Sequence, residues 1–415
     1  MLDILIQSYR ILFNIVLHGA YSSIELNKAA NNKSVTKIVY GVLDNFVKYA
    51  YFISQLVNKP PKNKAKLILM IGIYCLKNMD SLPDYAVIDN AVELAKSVGL
   101  KENSGFINAV LKRAAHYEFT YPEDKNKYLS VYYSKPEFLV NYYIRRYGVE
   151  RAEQILSVKP YEAEHIRYNA LKISRKEFER KLIDSGTEFI KSKAEGYFIR
   201  VNDYAQRLYN EGIMTYQSLT SMLTVQALNI CGTAKVSDLC AAPGGKSVYI
   251  AELYPGAKVI ANDIHPHRAE LIKSYIRRMD AENITVICSD ATEYNPIFTD
   301  SDYVLVDAPC SGLGLVNKKP DIMLNINQDT IDKLSSLQYN ILCKAGGYTK
   351  RGGVLMYSTC TTIEQENEGV VMKFLSEHKD FTLDSKFAPG AGGYMNFLPD
   401  GKGGDGYFIA RMIRL

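Results

Sequence analysis

The chain contains no tryptophan, and no two of its cysteines are spaced CxxC. The seven cysteines (Cys75, Cys231, Cys240, Cys288, Cys310, Cys343 and Cys360) are an odd number. This usage argues against a disulfide framework and against a zinc site, and for a reducing, cytoplasmic compartment. Long apolar runs are missing too. The longest, LILMIGIYCL (67–76), has about half the length needed to span a bilayer and reads as a buried helix. The apolar start, MLDILIQSYRILFNIVLHGAY, is interrupted by Arg10 and His18 and is followed by no small-residue cleavage site. It reads as an amphipathic helix and not as a signal peptide. There is no G-x-G-x-x-G fingerprint and no internal repeat.

What is present describes a globular protein: 47% hydrophobic and 23% charged residues, over 415 positions. That length exceeds one ordinary core, so two or three domains are expected. The net charge of +5 is modest but unevenly placed. Residues 1–118 hold 14 basic and 9 acidic residues, densest at KPPKNKAK (59–66), whereas residues 119–415 hold 36 of each. A basic segment joined to a neutral one fits a polyanion-binding appendage, although a solvated lysine face gives the same count.

Three parts are expected. Residues 1–118 carry apolar residues at three- and four-residue spacing and read as all-helical. Residues 119–205 read as a small α+β module, with two short helices in SKPEFLVNYYIRRYGVERAEQILS and strands at 165–174 and 196–202. Six tyrosines (128, 132, 133, 142, 143 and 147) lie there beside Arg145 and Arg146, a pairing that can stack on unpaired bases but more often fills a core. Residues 206–415 alternate strand and helix, with strands at 236–239, 258–262, 284–288, 303–307 and 353–357. That rhythm gives a doubly wound α/β domain with a largely parallel sheet, which binds ligands at the carboxyl ends of its strands. Cys240, Asp263, Asp290, Asp307, Cys310 and Cys360 all fall at such ends.

The glycine turn CAAPGGKS (240–247) lets backbone approach a ligand and opens a helix. Cys240 stands where a P-loop needs glycine, which disfavours a nucleoside triphosphate. Asp263, about twenty residues after the turn, is placed to take ribose hydroxyls. An acid for ribose without a diphosphate loop fits an adenosyl cofactor lacking phosphate, for which S-adenosylmethionine is the candidate. The fourth strand ends in DAPCSG, where enzymes that methylate exocyclic amines carry (N/D)PP(Y/F). A thiol in that place suggests a carbon target that needs covalent activation, and Cys360 in YSTC supplies a second thiol.

These segments carry a resemblance. DLCAAPGGK, NDIHPHR, SDAT, VLVDAPCSGLG, KKPDI, GGVLMYSTCT, EQENEGVV and DGYFIARM resemble, in order and spacing, the catalytic domain of RNA 5-cytosine methyltransferases of the NOL1/NOP2/Sun type. RYNALKIS and Gln217 fit as well. LPDYAVIDNAVELAK and GFINAVLKR resemble the NusB-like RNA-binding fold, a fusion that points to the RsmB/Sun type. The resemblance implies a NusB-like all-α domain (1–118), a linker module (119–205) and a Rossmann-like methyltransferase domain (206–415). It implies methylation of carbon 5 of a cytosine in 16S rRNA, unassembled or in an early small subunit, by a monomeric cytoplasmic enzyme with no metal and no membrane partner. It assigns Cys360 as nucleophile, Cys310 as the helper in its release, and Asp307 and Lys246 to the ring edge and its developing charge. Cys240, Ala241, Ala242, Pro243, Gly244, Gly245 and Lys246, with Asp263, Arg268, Asp290 and Asp307, are implied to frame S-adenosylmethionine. Two departures concern substrate placement: Ser218 stands where relatives commonly carry an acid, and Lys318 and Lys319 stand where arginine is frequent. Competing readings are a methyltransferase acting on transfer RNA, a non-catalytic RNA-binding factor, and a small-molecule or protein methyltransferase.

Overall fold

Apolar residues recurring every three or four positions make the first part of the chain helical, as the sequence predicts. Helix Leu2–His18 buries Leu5, Tyr9, Leu12 and Ile15 on one face. It ends at Gly19 with φ 68°, a left-handed cap that suits glycine. Helix Lys33–Asp44 starts under Asn32, whose side chain accepts from the Ser34 and Val35 N–H groups. Helices Phe46–Leu56, Asn63–Asn78, Asp84–Ser97 and Ser104–His116 complete one hydrophobic core. The expected buried helix is at its centre: every residue from Leu67 to Cys75 is buried. Each large side chain there contributes roughly 1.5–3 kcal/mol by leaving water. Gly41 has no side chain because the Tyr74 ring occupies that space.

The computed structural model describes residues 1–28, 32–79, 82–388 and 392–415, and these divide into two units. The first is Met1–Val158 with Val316–Asn325. Besides the helices above, it holds Lys125–Tyr132, Glu137–Tyr147 and Val149–Leu156. Of the six clustered tyrosines, Tyr143 is buried and Tyr132 exposed, and the rings pack largely on one another. The segment Val316–Asn325, which comes from the distal half of the chain, is part of this unit. Its Asp321 is buried and accepts from the Ser22 N–H (3.1 Å) and hydroxyl (2.7 Å), and Leu324 packs on the helical core.

The second unit is Lys159–Leu315 with Ile326–Leu415. It has two sheets. The small one consists of β1 (Glu164–Tyr168), β2 (Phe189–Lys191), β3 (Tyr197–Ile199) and β4 (Met214–Tyr216), in the order β2-β3-β1-β4 and antiparallel. The strand expected over 165–174 stops at Tyr168. Asn169 turns away there and donates to the Gly212 and Met279 carbonyls. The buried Arg167 pairs with Glu252, donates to Gln217 (2.6 Å) and covers the Tyr249 ring, tying the small sheet to the larger one's helices. Leaving one member of such a pair alone costs about 3–5 kcal/mol.

The large sheet contains β5 (Lys235–Asp238), β6 (Lys258–Asn262), β7 (Ile284–Ile287), β8 (Ser301–Asp307), β9 (Thr349–Thr359), β10 (Phe381–Leu383), β11 (Tyr394–Phe397) and β12 (Tyr407–Arg414). Its order is β10-β12-β9-β8-β5-β6-β7, with β11 on β12. Strands β5 to β9 pair in parallel, and they are the five expected from the sequence. Antiparallel β12 lies against β9, so the sheet is mixed and Rossmann-like. Among the described residues, no helix is long and apolar enough to cross a membrane.

Candidate active site

The carboxyl ends of β5 to β9 face one cavity of about 420 Å³. Its wall includes Cys240, Ala242, Asp263, Arg268, Asp290, Asp307, Cys310 and Cys360. Ala241, Pro243, Gly244, Gly245 and Lys246 are not among the lining residues; they form the turn behind it. A more voluminous cavity, about 820 Å³, opens on the small sheet around Tyr161, Phe189 and Phe198, but it contains no thiol. The chemistry of the lining, and not volume, identifies the site.

The turn after β5 is shaped by backbone contacts. The Ala241 N–H donates to the Asn262 carbonyl at 2.7 Å, and the Gly244 N–H to the Ala241 carbonyl at 2.7 Å. Gly244 has φ 110°, outside the range that other residues adopt easily, and helix Gly245–Leu253 starts directly after it. Asn262, fully buried, donates to the Leu239 and Ser289 carbonyls and so pins the ends of β5, β6 and the loop after β7 together. Sequence reading missed Asn262. Burial pushes the Cys240 thiol pKa up, and the Cys240 main chain hydrogen-bonds Asp238.

Asp263 and Asp290 each accept from the N–H two residues on, His265 at 3.1 Å and Thr292 at 2.8 Å. The Thr292 hydroxyl (2.7 Å) is the largest cause holding the Asp290 carboxyl below its usual range. Arg268 bridges Asp263 (3.3 Å) and the Ala242 carbonyl (3.3 Å), so it braces the turn against β6. An adenosyl group fits these residues. The carboxylates of Asp263 and Asp290 present acceptors for hydroxyl and amine hydrogens, and Leu239, Ile264, Ala291 and Ile341 add apolar surface to the same cavity. Among the described residues, no group of three or more acids, histidines and cysteines could hold a metal ion.

Both thiols line this cavity. Cys310 Sγ lies 3.2 Å from Cys360 Sγ and accepts from the Cys360 N–H at 3.3 Å. The hydrogen bond to Cys360 and then burial raise the Cys310 pKa well above the ordinary thiol value, so Cys310 keeps its proton at neutral pH. Asp307 is gripped by three donors: Lys246 Nζ (2.6 Å) on one oxygen, Ser358 Oγ (2.8 Å) and Tyr407 Oη (3.0 Å) on the other. Burial works against the Lys246 charge, but the Asp307 carboxylate outweighs it and the lysine pKa is raised. Asp238, fully buried below, is pushed up to about 7, chiefly by burial. The sequence indicated Asp307, Lys246 and both thiols. It gave no role to Ser358 or Tyr407, whose only sequence signal was their place in YSTC and DGYF.

The backbone bearing Cys360 is equally fixed. The Gly314 N–H donates to the Cys360 carbonyl at 3.0 Å, and the Gly406 N–H to the Gly314 carbonyl at 3.0 Å. A methyl group on Gly314 would overlap the Gly406 carbonyl and sit 2.8 Å from the Cys360 carbonyl, both backbone groups. Gly314→Ala is therefore expected to lower the unfolding temperature by several degrees and methyl transfer by roughly 100-fold. A thermal melt and a single-turnover assay check this, and wild-type behaviour in both would show that the two segments can part.

The family model for the 16S rRNA methyltransferase RsmB/F matches residues 225–413, and the NusB family model matches residues 6–116. The chain is 33% identical over 420 residues to the probable ribosomal RNA small subunit methyltransferase B of Bacillus subtilis, covering 96% of this chain and 94% of the relative. Among solved structures, PH0851 superimposes with a TM-score of 0.85 at 24% identity, over 99% of both chains. NSun6 from Pyrococcus horikoshii, solved with SFG, gives a TM-score of 0.60 at 23% identity, over 67% of this chain and 98% of that one. Both likenesses are of fold.

Proposed function

We infer, because the chain belongs to the 16S rRNA methyltransferase RsmB/F family, that it methylates carbon 5 of one cytosine in 16S rRNA through a covalent bond to Cys360. The chain is an S-adenosylmethionine-dependent RNA methyltransferase. The observation that supports the covalent route is the pair of thiols 3.2 Å apart at the mouth of the strand-end cavity, one of which keeps its proton.

When bound, S-adenosylmethionine supplies an electrophilic methyl group on a sulfonium. Cytosine carbon 5 is too weak a nucleophile to take it unaided. Cys360 gives up its thiol proton to solvent, its sulfur bonds to carbon 6, the 5,6 double bond opens, and its electron pair makes carbon 5 enamine-like. Asp307, gripped by three donors, stands at the ring nitrogen edge and favours protonation there as negative charge develops on the ring, with the Lys246 ammonium alongside. Carbon 5 would take the methyl group, leaving the sulfonium as a neutral thioether, and would then lose its proton to a solvent water acting as base. The electrons of that C–H bond restore the 5,6 double bond while the carbon–sulfur bond breaks toward Cys360. The Cys310 thiol, within hydrogen-bonding reach of the departing sulfur, stabilises the thiolate as it leaves.

The target base has to leave its stack to reach the thiol, which favours RNA that is unassembled or in an early small subunit. We assign 1–118 to gripping the RNA backbone, 119–205 to linking, and 206–415 to catalysis. The exposed Lys59, Lys62 and Lys64 at the head of helix Asn63–Asn78 support the first role. We take the enzyme to be a monomer, and seven cysteines outside any disulfide support a reducing cytoplasm. The test is methyl transfer from labelled S-adenosylmethionine to unmodified 16S rRNA and, separately, to bulk transfer RNA, followed by nucleoside analysis. 5-Methylcytosine in 16S rRNA alone is the expected result; label only in transfer RNA would overturn the substrate, and label in neither, without cofactor binding, would overturn the activity.

A further inference from the structure

The segments bearing the two thiols are each bracketed from below by buried side chains that no role assigned above uses. On the Cys310 side, Gln338 Nε2 donates to the Pro309 carbonyl at 2.9 Å, and Glu366 accepts from the Ser311 N–H (2.8 Å) and the Ser311 hydroxyl (2.5 Å). Gln338 also donates to Glu366 at 2.9 Å, so one connected pair holds both neighbours of Cys310. On the Cys360 side, Asn367 does the same alone. Its Oδ1 accepts from the Thr359 hydroxyl at 2.5 Å, and its Nδ2 donates to the Thr361 carbonyl at 3.0 Å. The two brackets join where Ser311 Oγ meets Thr361 Oγ1 at 2.9 Å. Glu366, Asn367 and Gln338 are fully buried, and Tyr357 donates to the Glu366 carbonyl at 2.6 Å.

We propose that the adjacent residues Glu366 and Asn367 are positioning residues that set the distance between the two thiols, each governing one of them. The arrangement is economical: two consecutive residues on one rigid turn before helix Glu368–Glu377 hold two loops that are fifty residues apart in sequence. Hydrogen bonds to a buried carboxylate have few substitutes, so its removal frees one loop while leaving the other held. The two side chains therefore control different steps. Glu366 acts through Cys310 on release, and Asn367 acts through Cys360 on attack. This division rests on the covalent reading given above.

The test follows the RNA–protein adduct on denaturing gels in the full-length enzyme, with cofactor binding and a thermal melt in parallel. Glu366→Ala is expected to form adduct at a near wild-type rate but to release it at least about tenfold more slowly, with the KM for RNA unchanged. Glu366→Gln, which keeps an acceptor for the Ser311 N–H, should recover most of the release rate. Asn367→Ala should form adduct about tenfold more slowly and accumulate none. Ser311→Ala, which deletes only the bridging hydroxyl, gives a milder release defect and stands in if Glu366→Ala does not fold. Formation and release slowed together in Glu366→Ala and Ser311→Ala, or neither slowed, would overturn the proposal. Cys310→Ala run on the same gel separates the two ideas: its adduct without any effect of Glu366→Ala or Ser311→Ala sinks the clamp alone, whereas absence of its adduct removes Cys310 from the release step and with it the reading on which the clamp rests.

Discussion

Cys360→Ser should lose methyl transfer on the scale of a deleted nucleophile, roughly a 10⁶-fold fall in kcat, while still binding S-adenosylmethionine. The serine oxygen sits where the sulfur was, but at neutral pH a hydroxyl is almost wholly protonated, and the Cys310 thiol beside it holds its own proton. The cavity wall around Asp263, Arg268 and Asp290 does not depend on this side chain, so equilibrium dialysis with labelled cofactor should give an unchanged Kd. Turnover at even a hundredth of the wild-type rate would mean that carbon 5 is methylated without a sulfur bond at carbon 6.

The second large effect has the opposite sign on the bound state. Cys310→Ala leaves Cys360 free to attack and carbon 5 free to take its methyl group, but removes the thiol that sits 3.2 Å from the departing sulfur. Steady-state turnover should fall by about 10²–10⁴, the range for losing a positioned proton-bearing group. The enzyme should then accumulate as an RNA-linked species that survives denaturation and collapses to the free protein on nuclease treatment. In the same variant, one methyl group per enzyme should still be transferred. A gel with no shifted band, under conditions where wild type turns over, would remove Cys310 from the release step.

Legibility in the sequence followed the physics of each element. The parallel strands β8 and β9 carry apolar runs, Val304–Val306 and Val354–Tyr357, buried on both faces, and the residues with chemistry stand where those runs break. That is why the sequence alone places Asp263, Asp290, Asp307 and both thiols at one rim. Edge strands β10 and β11 span only three and four residues, too short to show a period. β12 carries DGYFIARM but is antiparallel, and nothing local announces that it lies beside β9. Tyr407 and Asp307 are a hundred residues apart, and Ser22 and Asp321 nearly three hundred. Such pairings are made by the fold, and a single chain read in order carries no trace of them. Ser218, a departure from the pattern, turned out to cap helix Leu219–Gln226 by accepting from the Ser221 N–H.

Asp321 and Leu324 have a consequence for how the protein can be taken apart. They belong to the helical unit, yet they are encoded between the Cys310 loop and β9. The helical unit is thus discontinuous along the polypeptide, and its boundary is crossed three times instead of once. A fragment ending near Val158 leaves the Ser22 hydroxyl and N–H without their carboxylate. A chimera joined at that single point would pair one ancestor's helices with another's Val316–Asn325. Exchange of either half between relatives is coherent only when two stretches of sequence move together, so this architecture ties the inheritance of the helical part to that of the thiol-bearing one.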